Sequence, residues 1–152
     1  MRLWMAAVGR WRAGVERDLF LHYSRRLTWS LTLREVEVRR RLHGATLKEA
    51  EAALLLEAVP ASALVVMLDE RGENLSSLAL AERIGRWRDN GAGELAFLIG
   101  GADGHGDAIR PRAALTLSLG ALTWPHLLVR GLLAEQLYRA QQILAGHPYH
   151  RE

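Results

Sequence analysis

Leu64-Val65-Val66-Met67-Leu68 offers no polar side chain to water along its whole length. A continuous apolar run of this kind is typical of a central parallel strand covered on both faces. Helical patterns flank it. Before it, residues 50–58 are rich in Ala, Leu and Glu, with Thr46 and Glu49 spaced as a capping box and Pro60 as a stop. After it come a polar loop, Asp69-Glu70-Arg71-Gly72-Glu73-Asn74, and a helix over residues 76–89 closed by Asn90-Gly91.

The rest of the chain repeats that alternation. Residues 3–8 form a short apolar run ending at Gly9, a buried first strand. Val15, Leu19, Phe20, Tyr23 and Leu27 share one helical face over residues 14–27. Residues 31–38 alternate as a half-exposed strand near an edge, with a break at Arg34-Glu35 that reads as a bulge. Strands follow over residues 95–99 and 114–119, separated by room for a short helix at most. Pro125 opens the longest helix, which ends near Gly146. The order β-α-β-α-β-α-β-(short α)-β-α predicts an α/β fold: a mostly parallel five-stranded sheet between helices, in one domain over residues 1–152.

At 152 residues the chain suits a single domain with a sizeable core. It has no cysteine, which excludes disulfides and thiolate chemistry and suits a reducing compartment. No apolar stretch is long enough to span a bilayer and no signal-peptide pattern opens the chain, so a cytoplasmic protein is expected. Net charge is only +3, yet residues 1–41 carry ten arginines against Glu16, Asp18, Glu35 and Glu37. Arginine's planar fork suits phosphate, so this front half is compatible with nucleic acid; solvated arginines on helix faces are the plainer alternative.

Ligands of parallel sheets bind outside the carboxyl ends of the strands. There, Gly100-Gly101 permits close approach of backbone to a ligand, though a tight turn alone explains the glycines equally well. No dinucleotide or P-loop fingerprint is present. His126 sits in the first turn of the last helix, where the dipole disfavours the imidazolium, and it is either a ligand-facing neutral histidine or a surface cap. Glu135 and Arg139 are spaced as an i,i+4 salt bridge. The tail His147-Pro148-Tyr149-His150-Arg151-Glu152 is unusually rich in functional side chains and suits a segment that folds back over a pocket; no pair in it has metal-ligand spacing, and no metal is expected.

The runs Leu98-Ile99-Gly100-Gly101-Ala102-Asp103-Gly104, Leu117-Ser118-Leu119-Gly120-Ala121-Leu122-Thr123-Trp124-Pro125-His126, Glu135-Gln136-Leu137-Tyr138-Arg139-Ala140 and His147-Pro148-Tyr149-His150-Arg151 resemble the ribosomal RNA large subunit methyltransferase H family. These are small SPOUT-class enzymes that methylate N3 of a pseudouridine in 23S ribosomal RNA. The resemblance spans essentially the whole chain and is most specific in its last third. It implies a C-terminal trefoil knot, a homodimer and S-adenosyl-L-methionine as cofactor. It further implies that Leu68, Gly100, Gly101, Gly120, Ala121, Leu122, Thr123, Trp124 and Pro125 contact the cofactor. The chain departs from the family pattern at Glu73, in a loop where lysine is usual, and at Gly120, where serine is common.

Methylating N3 requires the methyl in line with the nitrogen, removal of the N3 proton, and cations on the RNA backbone. His126, Tyr149, His150 and Arg151 are the candidates for handling the N3 proton and the ionised base, with Arg130 and Arg139 assisting. A non-catalytic knotted protein that binds RNA or the ribosome is the alternative, left open by the departures at Glu73 and Gly120.

Overall fold

A computed structural model describes residues 1–150. Its single sheet contains β1 (Arg2–Val8), β2 (Ser30–Val36), β3 (Leu64–Asn74), β4 (Glu94–Ile99) and β5 (Ala113–Ser118), in the order β2-β1-β4-β3-β5. Every pairing is parallel, as the apolar runs predict. Four helices connect and cover the strands: α1 (Val15–Ser24), α2 (Gly44–Glu57), α3 (Ser77–Asp89) and α4 (His126–Leu144). None of the described helices is long and apolar enough to cross a membrane.

Alternate residues of the inner strands β1, β3 and β4 enter two separate cores, the period-two rule for a sheet covered on both faces. Leu3, Met5, Val66, Leu68, Phe97, Ile99 and Leu117 face α1, α3 and α4. Val8, Val65, Met67, Ala96 and Leu98 face α2 and Ile109. The helix α4 lies against both α1 and α3. It approaches α1 tightly at Gly131, where a Cβ would stand 2.7 Å from Leu19.

Three local expectations are corrected. The segment read as a polar loop after Leu68 belongs to β3: Leu68 and Glu73 both pair with Leu117, so residues 69–72 bulge out and the strand resumes. The expected bulge at Arg34-Glu35 is absent, and β1 and β2 pair without a shift from Arg2↔Ser30 to Val8↔Val36. Glu35 interrupts the apolar pattern because it meets a buried arginine, Arg130. The Thr46–Glu49 capping box does not form; α2 starts earlier, with His43 at its N-cap and no side-chain cap. Thr46 is already inside the first turn, where it cannot serve as the cap. Ser76, by contrast, does cap α3, accepting from the Ala79 N–H at 3.0 Å.

Candidate functional site

All five strands run toward one edge of the sheet, and the bulge in β3 with the loops after β4 and β5 surrounds a cleft of about 440 Å³. Leu68, Ile99 and Leu117 form its floor, all buried residues of their strands. Gly100 and Gly101 form one wall; Leu119, Gly120, Leu122, Thr123 and Trp124 form the opposite one. Both walls follow from sequence. The apolar strands run inward until glycine lets the backbone turn sharply beside the opening. A Cβ on Gly101 would stand 2.9 Å from Glu51 Oε2 and 3.1 Å from Val8, so only glycine fits without displacement. Gly120 has φ +112, the left-handed region that favours glycine. The Ser118 hydroxyl closes that turn, accepting from the Gly120 N–H at 3.1 Å and donating to its carbonyl at 3.0 Å.

The second wall is partly held and partly open. The Trp124 indole N–H donates to Leu119 O at 3.2 Å. Leu122 and Trp124 nevertheless remain 71% and 40% exposed, so apolar surface stands ready beside the cleft.

His126 also lines the cleft, and its Nε2 lies against Gly9. Burial, then the neighbouring Arg130 guanidinium, hold its pKa below the ordinary histidine value. It is therefore neutral at physiological pH and can take a proton. Arg130 is 0% exposed. It donates to Glu35 at 2.7 Å and to the Val8 and Gly9 carbonyls at 3.1 and 2.7 Å, and it stacks 4.5 Å from the Trp11 ring. Both its terminal nitrogens are committed, so it organises the end of β1 instead of reaching a ligand.

Several lining residues were not anticipated. Asp69 holds Arg71 through its side chain, at 3.2 and 3.0 Å; that hydrogen bonding keeps its carboxyl below the usual carboxylate range against the opposing effect of burial. Glu70 accepts from the Thr123 hydroxyl at 3.4 Å, bridging two loops. His105 meets Leu98 O at 3.1 Å, and burial depresses its pKa. Lys48 of α2 lines the same cleft, while Glu51 stands behind Gly101 with its pKa raised by burial and then by Asp103. A carboxylate inside an Ala- and Leu-rich helix was the only sequence signal for Glu51. Among the described residues no group of three or more His, Asp and Glu gathers to hold a metal ion.

Ala121 and Pro125 belong to the second wall's loop without lining the cleft. Nor do Arg139, Tyr149 and His150 line it; Arg139 and Tyr149 instead meet at Glu135 of α4. Arg139 Nε donates to Glu135 at 3.0 Å, and the Tyr149 hydroxyl donates to the same carboxylate oxygen at 3.2 Å. The Tyr149 ring packs edge-on against Tyr138 at 4.7 Å, and the guanidiniums of Arg139 and Arg26 lie over it at 5.0 and 5.7 Å. Burial first, then Glu135, pushes the Tyr149 phenol up to about 12. Neither ring nitrogen of His150 meets a hydrogen-bond partner among the described residues. Glu135 borders a second groove of about 530 Å³, which shares Leu117, Leu119, Gly120 and Trp124 with the cleft. Tyr149 is thus anchored beside the cleft of its own chain, not over it. Arg151 lies outside the described residues. Glu73 faces away from the cleft, paired with Arg83 at 3.6 Å.

The sequence matches the family described as "Predicted SPOUT methyltransferase" over residues 1–150. A protein of Rhodospirillum centenum is 62% identical over 151 residues, covering 99% of each chain. Others, of Paramagnetospirillum magneticum and Rhodospirillum rubrum, are 59% and 56% identical with the same coverage. All three carry the name ribosomal RNA large subunit methyltransferase H. With a glycine-walled cleft at the carboxyl ends of a five-stranded parallel sheet, and relatives of this identity along its full length, the chain belongs to the SPOUT methyltransferase family, in the group that carries that name.

Proposed function

We propose that this protein is a cytoplasmic, homodimeric enzyme that methylates N3 of a pseudouridine in 23S ribosomal RNA of the large subunit, with S-adenosylmethionine as donor. The observation that carries the reading is the convergence of the loops after β4 and β5 on one cleft. The trefoil knot implied by the family would tie those two loops together, in accord with their joint lining.

The cleft's residues fit the donor. Its volume of about 440 Å³ lies in the range of small-molecule sites. Leu68, Ile99, Leu117, Leu122 and Trp124 supply apolar surface for an adenine, and the glycine-walled turns bring backbone groups close to polar edges. Asp69, Glu70 and Asp103 line the same space and favour a cationic sulfonium. When bound, S-adenosylmethionine supplies a methyl group on a positively charged sulfur. Gly100, Gly101, Gly120, Leu122, Thr123 and Trp124 would orient it by shape, which makes positioning the main contribution to rate.

His126 accepts the N3 proton as its neutral imidazole, the form that burial and Arg130 favour. Arg139, Tyr149, His150 and Arg151 stabilise the ionised base. Tyr149 and Arg139 lie outside the cleft of their own chain, so in this reading they act on the cleft of a second copy. That arrangement requires the homodimer, and the exposed Leu122 and Trp124 suit its joining surface. Titration calorimetry with S-adenosylmethionine tests the donor: saturable binding is expected, with a change in Trp124 emission that Trp124→Phe removes. No heat at millimolar ligand would exclude the cofactor.

A further inference from the structure

We infer that the exposed arginines of the loops after β1 and β2 form a track for the RNA phosphate backbone, leading along the sheet edge into the cleft. The inference rests on the proposed RNA substrate and adds the surface that holds it.

Because every strand is parallel, the loops after β1 and β2 emerge on the same edge as the cleft. The first carries Arg10 and Arg12; the second carries Arg39, Arg40 and Arg41; all five are exposed. Arg10 makes an exposed pair with Glu37 at 3.6 Å, but Arg12, Arg39, Arg40 and Arg41 form no ion pair among the described residues. Three consecutive like charges repel one another and add nothing to folding, so their placement calls for an external anion. Their planar forks match phosphate bidentately.

Charge along this edge is uneven. The cleft mixes Asp69, Glu70 and Asp103 with Lys48 and Arg71, and Asp69 is paired with Arg71 at 3.0 Å. The loops after β1 and β2 instead carry Arg12, Arg39, Arg40 and Arg41 without ion pairs among the described residues, and it is there that a polyanion finds free cations. The separation is short. β4, whose end walls the cleft, lies two strand spacings from β2, roughly 10 Å. The loop after β2 also runs directly into α2, whose Lys48 places a further cation at the cleft.

The test replaces Arg39→Ala, Arg40→Ala and Arg41→Ala together. A control replaces Arg25, Arg86 and Arg88 with alanine; these exposed residues are at the carboxyl ends of α1 and α3, at the opposite edge of the sheet, and remove equal charge. Binding to deproteinised large-subunit ribosomal RNA is measured against salt concentration. Each phosphate contact contributes about 0.7–0.9 to the slope of log affinity on log salt. The first variant should lower that slope by about 2–3 and weaken binding at least tenfold, with S-adenosylmethionine affinity unchanged; the control should match wild type. On ribosomes, KM should rise with kcat at saturation preserved. Equal effects of the two variants, or a loss on intact ribosomes with none on deproteinised RNA, would overturn the track; the latter would indicate a ribosomal protein as the partner. Failure of the underlying reading is separate: there the wild type itself would transfer no methyl group to RNA, while the salt slopes would still be measurable.

Discussion

Arg130 on α4 and Glu35 on β2, 95 positions apart, are joined by a 2.7 Å hydrogen bond between Nη1 and Oε2. The same carboxylate oxygen accepts the Trp11 N–H at 2.9 Å, and Arg130 caps the carbonyls of Val8 and Gly9. One side chain therefore ties the end of β1, the edge strand and the helix that begins at the cleft. Removing one member of a buried pair strands the other, at about 3–5 kcal/mol. Arg130→Met is expected to lower the melting temperature by roughly 10 °C, given about 2–4 °C per kcal/mol for a domain of this size. Glu35→Gln, which keeps the acceptor's shape, should lose less than half of that. Thermal unfolding of the two variants checks the order.

The histidine beside that arginine sets the pH profile. A depressed pKa means His126 is neutral above its ordinary value of 6.5 and gains a proton only below it. Methyl transfer at saturating donor should thus be level from pH 6.5 upward through neutrality, with an acid limb at lower pH. His126→Ala should lower kcat by roughly 10²–10⁴ and abolish the limb. A limb centred above pH 7, or one that persists in the variant, would remove His126 from the proton transfer.

Glu51 gives an independent pH signature. Its pKa is raised by burial, so the folded state holds the proton more tightly than the unfolded chain does. The stability from this group is present below its ordinary value of 4.5 and is lost as pH rises through the raised one. Glu51→Gln should therefore melt higher than wild type at pH 7.5, and the two should converge below pH 4.5. A constant offset at both pH values would mean that packing, not charge, decides this position.

Complementation separates a shared site from a self-contained one. His126→Ala and a chain ending at residue 146 should each be inactive alone, and the truncated chain should still bind S-adenosylmethionine. If tails serve the partner's cleft, co-refolding equal amounts should restore about one quarter of wild-type activity, from one working site in half of the dimers. No restoration would place each tail on its own cleft.

The strand and helix order was legible because each apolar run is bounded by glycine, proline or a charged turn, which makes the period change visible. The extension of β3 was not. Residues 69–74 are polar, and their return to β5 depends on pairing with Leu117 and Ser118, forty-odd positions away. Glu35 shows the complementary failure: a charged residue in an apolar face looked like a bulge because its partner, Arg130, is distant in sequence. At the site, the two glycine loops were recognisable, since glycine directly after a buried strand marks close approach. Asp69, His105, Lys48 and Glu51 reach the cleft or its wall from separate elements, and their joint placement exists only once the strands are ordered. Glu135 and Arg139 were spaced as an ordinary salt bridge; the Tyr149 hydroxyl on the same carboxylate shows that the pair also anchors the tail.

The central claim is tested most directly by incubating the protein with methyl-labelled S-adenosylmethionine and ribosomes from cells lacking this gene, then digesting the RNA to nucleosides for mass spectrometry. The account predicts one labelled product, N3-methylpseudouridine, from the large-subunit RNA, lost with His126→Ala. Label on another nucleoside, on small-subunit RNA or on protein, or no label at all, would contradict it.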